Sequence, residues 1–201
     1  MSNPKNILLP STRRQQRIAD VLGRRLPGLT VVIENIHDAH NVSAILRSCD
    51  AVGVVGVELL YTTEKFPRIG KKSSSSASKW VDRRKHASVD ACFATLRAEG
   101  YRILATRVTA GSRTIFDEDL TGPVAFVLGN EHRGVSDEAL AGADAAVQIP
   151  MQGMIESLNV SVATAILLYE TLRQRMANGP LAVPALPAGD YHRLLLDWLH
   201  R

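Results

Sequence analysis

The run Pro123-Val-Ala-Phe-Val-Leu-Gly129, continuing directly into Asn130-Glu-His-Arg-Gly-Val-Ser136, decides the fold class. An apolar strand without polar alternation is buried on both faces, as strands are in parallel sheets covered by helices. Gly129 and the polar residues behind it close the strand, and Ser136-Asp137 opens a helix. The same alternation recurs in both directions. Strand-like runs are read at 30–36, 54–62, 102–108, 123–129 and 145–150, with helical periodicity at 41–52, 89–99, 136–141 and 158–177. That order predicts an α/β domain over 29–178, built on a largely parallel sheet flanked by helices. Ligands of such sheets bind beyond the carboxyl ends of the strands, which makes 129–136 a candidate site segment. The same residues could equally form an ordinary strand-to-helix connection.

Two helical patterns fall outside the alternation, near 12–25 and 190–199. The first belongs to a basic extension, 1–28. The second ends a segment, 179–201, that begins with Gly179-Pro180 and carries Pro184 and Pro187, a composition that stops one helix and extends the chain before the next. Tyr191, Leu194, Leu195, Trp198 and Leu199 form an apolar stripe that needs a cover. Either a second subunit or the chain's own domain supplies it.

A length of 201 residues buries a core without staples. Cys49 and Cys92 sit in apolar helical patterns without metal-ligand spacing, which predicts a reducing, intracellular setting and no bound metal. Met1 to Leu9 lacks a cleavage-like pattern and no apolar run is long enough to span a bilayer, so a cytoplasmic protein with no membrane partner is expected. Lys and Arg number 24 against 20 Asp and Glu, a net +4. The positive charge is clustered: Arg13, Arg14, Arg17, Arg24 and Arg25; Lys71, Lys72 and Lys79 around Ser73–Ser76; Arg83, Arg84 and Lys85; Arg173 and Arg175. Such clusters suit a polyanion, or are simply solvated faces. The segment from Lys71 to Lys79 is predicted to be a mobile basic loop.

Two further segments carry polar residues at strand ends. In the first, Asn41 stands as an N-cap and Gly53 just past the helix end. Val42, Ile45, Leu46, Cys49 and Val52 form one stripe, with Ser43, Arg47 and Asp50 on the opposite face. Arg47 either pairs with Asp50 on a wet surface, worth well under ~1 kcal/mol, or is presented to a ligand. The second segment runs from Ile149 to Glu170. There Ser157 and Asn159 stand at a helix mouth, where either could cap it, and Met151, Met154 and Ile155 lie in a connection that would normally be polar. Apolar loop residues line a pocket or are buried under another chain. Phosphate-binding and dinucleotide glycine motifs, zinc spacings and the Gly-x-Ser-x-Gly elbow are all missing, which removes P-loop NTPase, dinucleotide oxidoreductase and hydrolase readings.

The runs Asn41-Val-Ser-Ala-Ile-Leu-Arg47, Leu128-Gly-Asn-Glu131 with Gly134-Val-Ser136, and Ile149-Pro-Met151 through Ser157-Leu-Asn-Val-Ser161 resemble, in order and spacing, the three motifs of the TrmH-like SPOUT methyltransferases. The resemblance extends to the basic first helix and the Tyr191–Trp198 tail, and is nearest to the members that methylate guanosine 18 in the tRNA D-loop. It departs at Ser73–Ser76, where the family loop carries more glycine.

What the resemblance implies is methyl transfer from S-adenosyl-L-methionine (AdoMet) to an RNA ribose 2′-hydroxyl, with tRNA as partner. A SPOUT-type α/β fold with a C-terminal deep trefoil knot and a homodimer come with it. General connection rules would have predicted against the knot. By the same resemblance, Asn41 orients a catalytic Arg47, Glu131 sits beside the ribose, and Ser157 and Asn159 hold the arrangement. Thr106, Leu128, Gly129, Ile149, Met151 and Leu158 match AdoMet-contacting positions. Arg13, Arg14, Arg17, Arg173 and Arg175 are the candidate phosphate contacts. A guanidinium is a poor proton acceptor, so Arg47 either is unusually perturbed and acts as base or stays cationic and stabilises the alkoxide. Another RNA site, the tRNA wobble ribose or ribosomal RNA, and a catalytically silent RNA-binding protein are the alternatives.

Overall fold

The computed structural model describes residues 11–69, 77–177 and 186–201. The expected Ser73–Ser76 loop, Lys71, Lys72, Gly179-Pro180 and Pro184 lie outside these residues. In chain order the elements are α1 (Thr12–Leu22), β1 (Leu29–Glu34), α2 (Ala39–Val52), β2 (Gly56–Leu60), β3 (Asp82–His86), α3 (Val89–Ala98), β4 (Arg102–Thr106), β5 (Arg113–Thr114), β6 (Val124–Leu128), α4 (Asp137–Gly142), β7 (Ala145–Gln148), α5 (Val160–Ala177) and α6 (Ala188–His200).

The seven strands found among the described residues form one sheet in the order β3-β2-β1-β6-β4-β7-β5, and every pairing is parallel. Its centre is the Pro123–Gly129 run: β6 is buried along its whole length, between β1 and β4. Alternate residues of the central strands feed two cores. Val31, Ile33, Phe126 and Leu128 meet α2 and α5 on one face. Val32, Ala125 and Val127 meet α3 and α4 on the other. No helix among the described residues is long and apolar enough to cross a membrane.

Two strands escape the sequence reading, for physical reasons. β3 is Asp82-Arg-Arg-Lys-His86, with no apolar residue, because it is an edge strand whose charge discourages pairing with another chain. This corrects the reading of Arg83, Arg84 and Lys85 as one polyanion-facing cluster. Arg84 grips the buried Glu58 of β2 through two hydrogen bonds of 2.8 Å and also pairs with Glu99, while His86 Nε2 meets Glu58 Oε2, the oxygen that Arg84 Nε also holds. β5 is only two residues long and shows no periodicity.

The apolar stripe of α6 is covered by its own chain. Leu194 and Trp198 pack with Ile18 and Leu22 of α1, and Trp80 joins them with its ring 4.9 Å from that of Trp198. Arg25 lies at this junction and is also a correction, since it faces no solvent. It is 1% exposed. Its guanidinium donates to Asp50 Oδ1 at 2.6 Å and to the carbonyls of Asp50, Val54 and Trp80, and lies 4.8 Å from the Trp198 ring centroid. Asp50 is therefore the partner of Arg25 rather than of Arg47.

Candidate active site

Three adjacent parallel strands, β6, β4 and β7, end on the same side, and the loops that leave them enclose a cleft of about 570 Å³. That volume lies within the range of small-ligand sites, about 300–1,000 Å³. Thr106, Gly129, Ile149, Met151 and Leu158 all line it, together with Glu131, Ser157 and Asn159. Leu128 does not: it is buried in the core as the last residue of β6. The sequence reading missed Arg107, His132, Arg133 and Glu156 on the wall. Arg107 follows β4 directly, so its place at a strand end was the available signal. It donates to the carbonyl of Val135 and pairs with Asp137.

The loop after β6 folds back so tightly that Gly129 has no room for a side chain. A Cβ there would stand 2.0 Å from Gly134 C and Val135 N. Gly134 has φ +68, the left-handed region that glycine adopts without strain. Asn130 then holds the turn. Its Nδ2 donates to the carbonyl of Asn35 at 2.7 Å and its Oδ1 accepts from the amides of His132 and Arg133. Asn35, itself at φ 50, uses its own Oδ1 to gather the amides of Thr62, Thr63 and Glu64. Loops from β1, β2 and β6 are thus cross-tied at the cleft.

At the cleft mouth the three motifs meet in a chain of side chains. Glu131 Oε1 accepts from Asn41 Nδ2 at 2.9 Å. Asn41 Oδ1 accepts from Asn159 Nδ2 at 3.0 Å. Asn159 Oδ1 in turn caps α5, accepting from the Ser161 amide at 2.8 Å and from its hydroxyl at 2.6 Å. Asn41 is therefore a bridging residue and not the cap of α2, a correction: Asp38 caps that helix, accepting from the His40 amide. Burial opposes the charge on Glu131, but the hydrogen bonds from Asn41 and the backbone outweigh it, and the carboxyl is held below its usual value. His37 Nδ1 lies 3.0 Å from Glu131 Oε2.

Ser157 is exposed on the rim with no hydrogen-bond partner among the described residues. Ser43, expected on the outer face of α2, is instead 2% exposed. Arg47 is exposed on α2, six residues beyond Asn41 and so about 9 Å further along the axis. It does not line the cleft of its own chain and has no ion pair among the described residues.

Of the candidate phosphate contacts, Arg13, Arg14 and Arg17 are exposed on α1 without ion pairs among the described residues. Arg173 is exposed and paired with Glu170. Arg175 is a correction. Its guanidinium donates to the carbonyls of Pro27, Gly28, Leu120 and Gly122, at 2.8 to 3.2 Å, and rivets α5 to the loops that precede β1 and β6.

Residues 28–169 match the model of the SpoU rRNA Methylase family. The chain is 45% identical, over 94% of its length and 96% of the relative's, to a tRNA (guanosine(18)-2′-O)-methyltransferase of Thermus thermophilus. The crystal structure of a TrmH/SpoU tRNA modifying enzyme from A. aeolicus superposes with a TM-score of 0.87 at 37% identity, covering 94% of this chain and 95% of that one. A SpoU methyltransferase of Streptomyces viridochromogenes, solved in complex with AdoMet, matches with a TM-score of 0.65 at 29% identity over 79% of this chain and 64% of the other.

Proposed function

Because the chain belongs to the SpoU rRNA methylase family, we propose that it methylates a ribose 2′-hydroxyl of tRNA in the cytoplasm, at guanosine 18, with AdoMet as donor. The observation that carries this reading is the Glu131–Asn41–Asn159 chain at the mouth of the cleft. Residues far apart in sequence converge there although none is needed for the core.

The cleft suits AdoMet by its donor set. Gly129 leaves backbone groups bare where a Cβ could not fit, and Ile149 and Leu158 give an apolar wall for an adenine. When bound, AdoMet supplies an electrophilic methyl group. The protein's share is positional and electrostatic: Glu131, held by Asn41, receives the sugar, Asn159 ties the start of α5 to Asn41, and Ser157 on the rim is free to meet the substrate. Arg47 supports the charge that develops on the hydroxyl oxygen, as a cation rather than as a base.

We further infer a homodimer in which Arg47 reaches the cleft of the partner, and the family's deep knot in the segments that follow β6 and β7. Supporting the dimer is an apolar stripe left bare on α5: Val162, Tyr169 and Met176, at intervals of seven, are about half exposed, and Met154 and Ile155 of the preceding loop are also uncovered.

Methyl transfer from labelled AdoMet to unmodified tRNA transcripts, followed by mapping of the modified nucleotide, tests the reading. Label at the wobble ribose, or only on ribosomal RNA, would reassign the substrate, and no transfer to any RNA would end it. Arg13, Arg14 and Arg17 are the proposed phosphate contacts. Changing all three to alanine is expected to weaken tRNA binding and to reduce the slope of log affinity against log salt by about 2. An unchanged slope would remove α1 from the RNA surface.

A further inference from the structure

The loops after β1 and β6, neighbours in the sheet, each place a histidine at the cleft mouth. The rings of His37 and His132 are stacked, with centroids 5.5 Å apart and planes inclined by 23°. Both side chains are exposed, His37 by 48%, and His132 is part of the cleft wall. Neither belongs to a hydrophobic core cluster. The fold therefore gains little from two exposed rings, and His37 Nδ1 lies 3.0 Å from Glu131 Oε2. Of the charged residues next to the two histidines in sequence, Asp38 caps α2 and Arg133 is turned toward Glu64. No group of His, Cys, Asp or Glu among the described residues is placed to hold a metal, so the pair is not part of one there.

We propose that the stacked His37–His132 pair is the seat for the nucleobase of the acceptor nucleotide. This rests on the reading of Glu131 as the group beside the reacting ribose. A base is one bond from its sugar, so the surface next to Glu131 must meet it. The available surface is a pair of flat rings. Single-stranded RNA bases splayed out of a loop are held by stacking on such side chains, histidine included. Stacking on a ring face tolerates any base, so the pair supplies affinity and orientation rather than the choice of base.

The test uses His37→Ala, His132→Ala, the double variant and His132→Phe, with full-length tRNA transcripts. Each alanine change is expected to raise KM for tRNA about tenfold, the effect of losing one stacking partner, and His37→Ala, at a residue that does not line the cleft, to leave the AdoMet Kd unchanged. His132→Phe should recover most of the loss, because a phenyl ring keeps the face and discards the nitrogens. A transcript with 2-aminopurine at the acceptor nucleotide should lose fluorescence on binding the unmodified protein and keep it with the double variant. Unchanged KM and quenching in the double variant would overturn the proposal, as would His132→Phe behaving like His132→Ala. If the unmodified protein methylates no RNA, the proposed function fails on that result. The quenching experiment needs no turnover and still decides whether the histidines hold the base.

Discussion

Replacing Arg47 by alanine is expected to lower kcat for tRNA methylation by about a hundred- to a thousandfold, while AdoMet binding and Tm stay as they were. Exposure and the lack of an ion pair among the described residues mean that the fold is not leaning on this side chain. Cutting it back should cost stability well under ~0.5 kcal/mol. An arginine with no structural work, on the helix that presents Asn41 to the cleft, is free to stabilise charge on a reacting oxygen. Its distance from the cleft of its own chain makes a second measurement informative. When Arg47→Ala and Glu131→Gln proteins are mixed and allowed to exchange subunits, activity should return if Arg47 serves the partner's cleft, because one of the two sites then carries neither change. No recovery would place Arg47 in its own subunit's site, and near-normal turnover by Arg47→Ala alone would remove it from the chemistry.

A second large effect is expected at Gly129. An added Cβ would lie 2.0 Å from Gly134 C and Val135 N, and both obstacles are backbone, so no side chain can swing aside. The turn from Asn130 to Gly134 must open, and the cross-ties from Asn130 to Asn35, His132 and Arg133 go with it. Gly129→Ala should lower stability by at least about 3 kcal/mol, a fall in Tm of roughly 6–12 °C, and abolish measurable AdoMet binding. Gly111→Ala is the control, since a Cβ there meets nothing within 4 Å. Equal Tm values and AdoMet affinities for the two variants would mean that the loop after β6 is not the rigid wall inferred from its packing.

Much of the fold was legible because burial on both faces leaves an unbroken apolar signature. β6, β1 and β4 all carry it, and the glycine and polar residues behind them give their ends to within a residue or two. β3 was not legible, because an edge strand is selected for charge, and Arg84 belonged to a basic cluster that suited a polyanion or a solvated face, whereas Glu58 and Glu99 claim it. Arg25 and Arg175 misled in the same way. Nothing in a basic cluster tells which guanidinium is solvated and which is spent on carbonyl groups distant in the chain.

Apart from β3 and β5, the order of elements, together with the parallel sheet and the three polar segments at strand ends, was determined by the sequence alone, since periodicity and helix and strand punctuation act over a few residues. Only the tertiary structure decided that Asn41 bridges Glu131 to Asn159 rather than capping α2, that α6 closes on α1, and that two histidines stack at the cleft. Those arrangements depend on which strand ends become neighbours in the sheet order. That order is chosen by packing summed over the whole chain, and no local stretch encodes it.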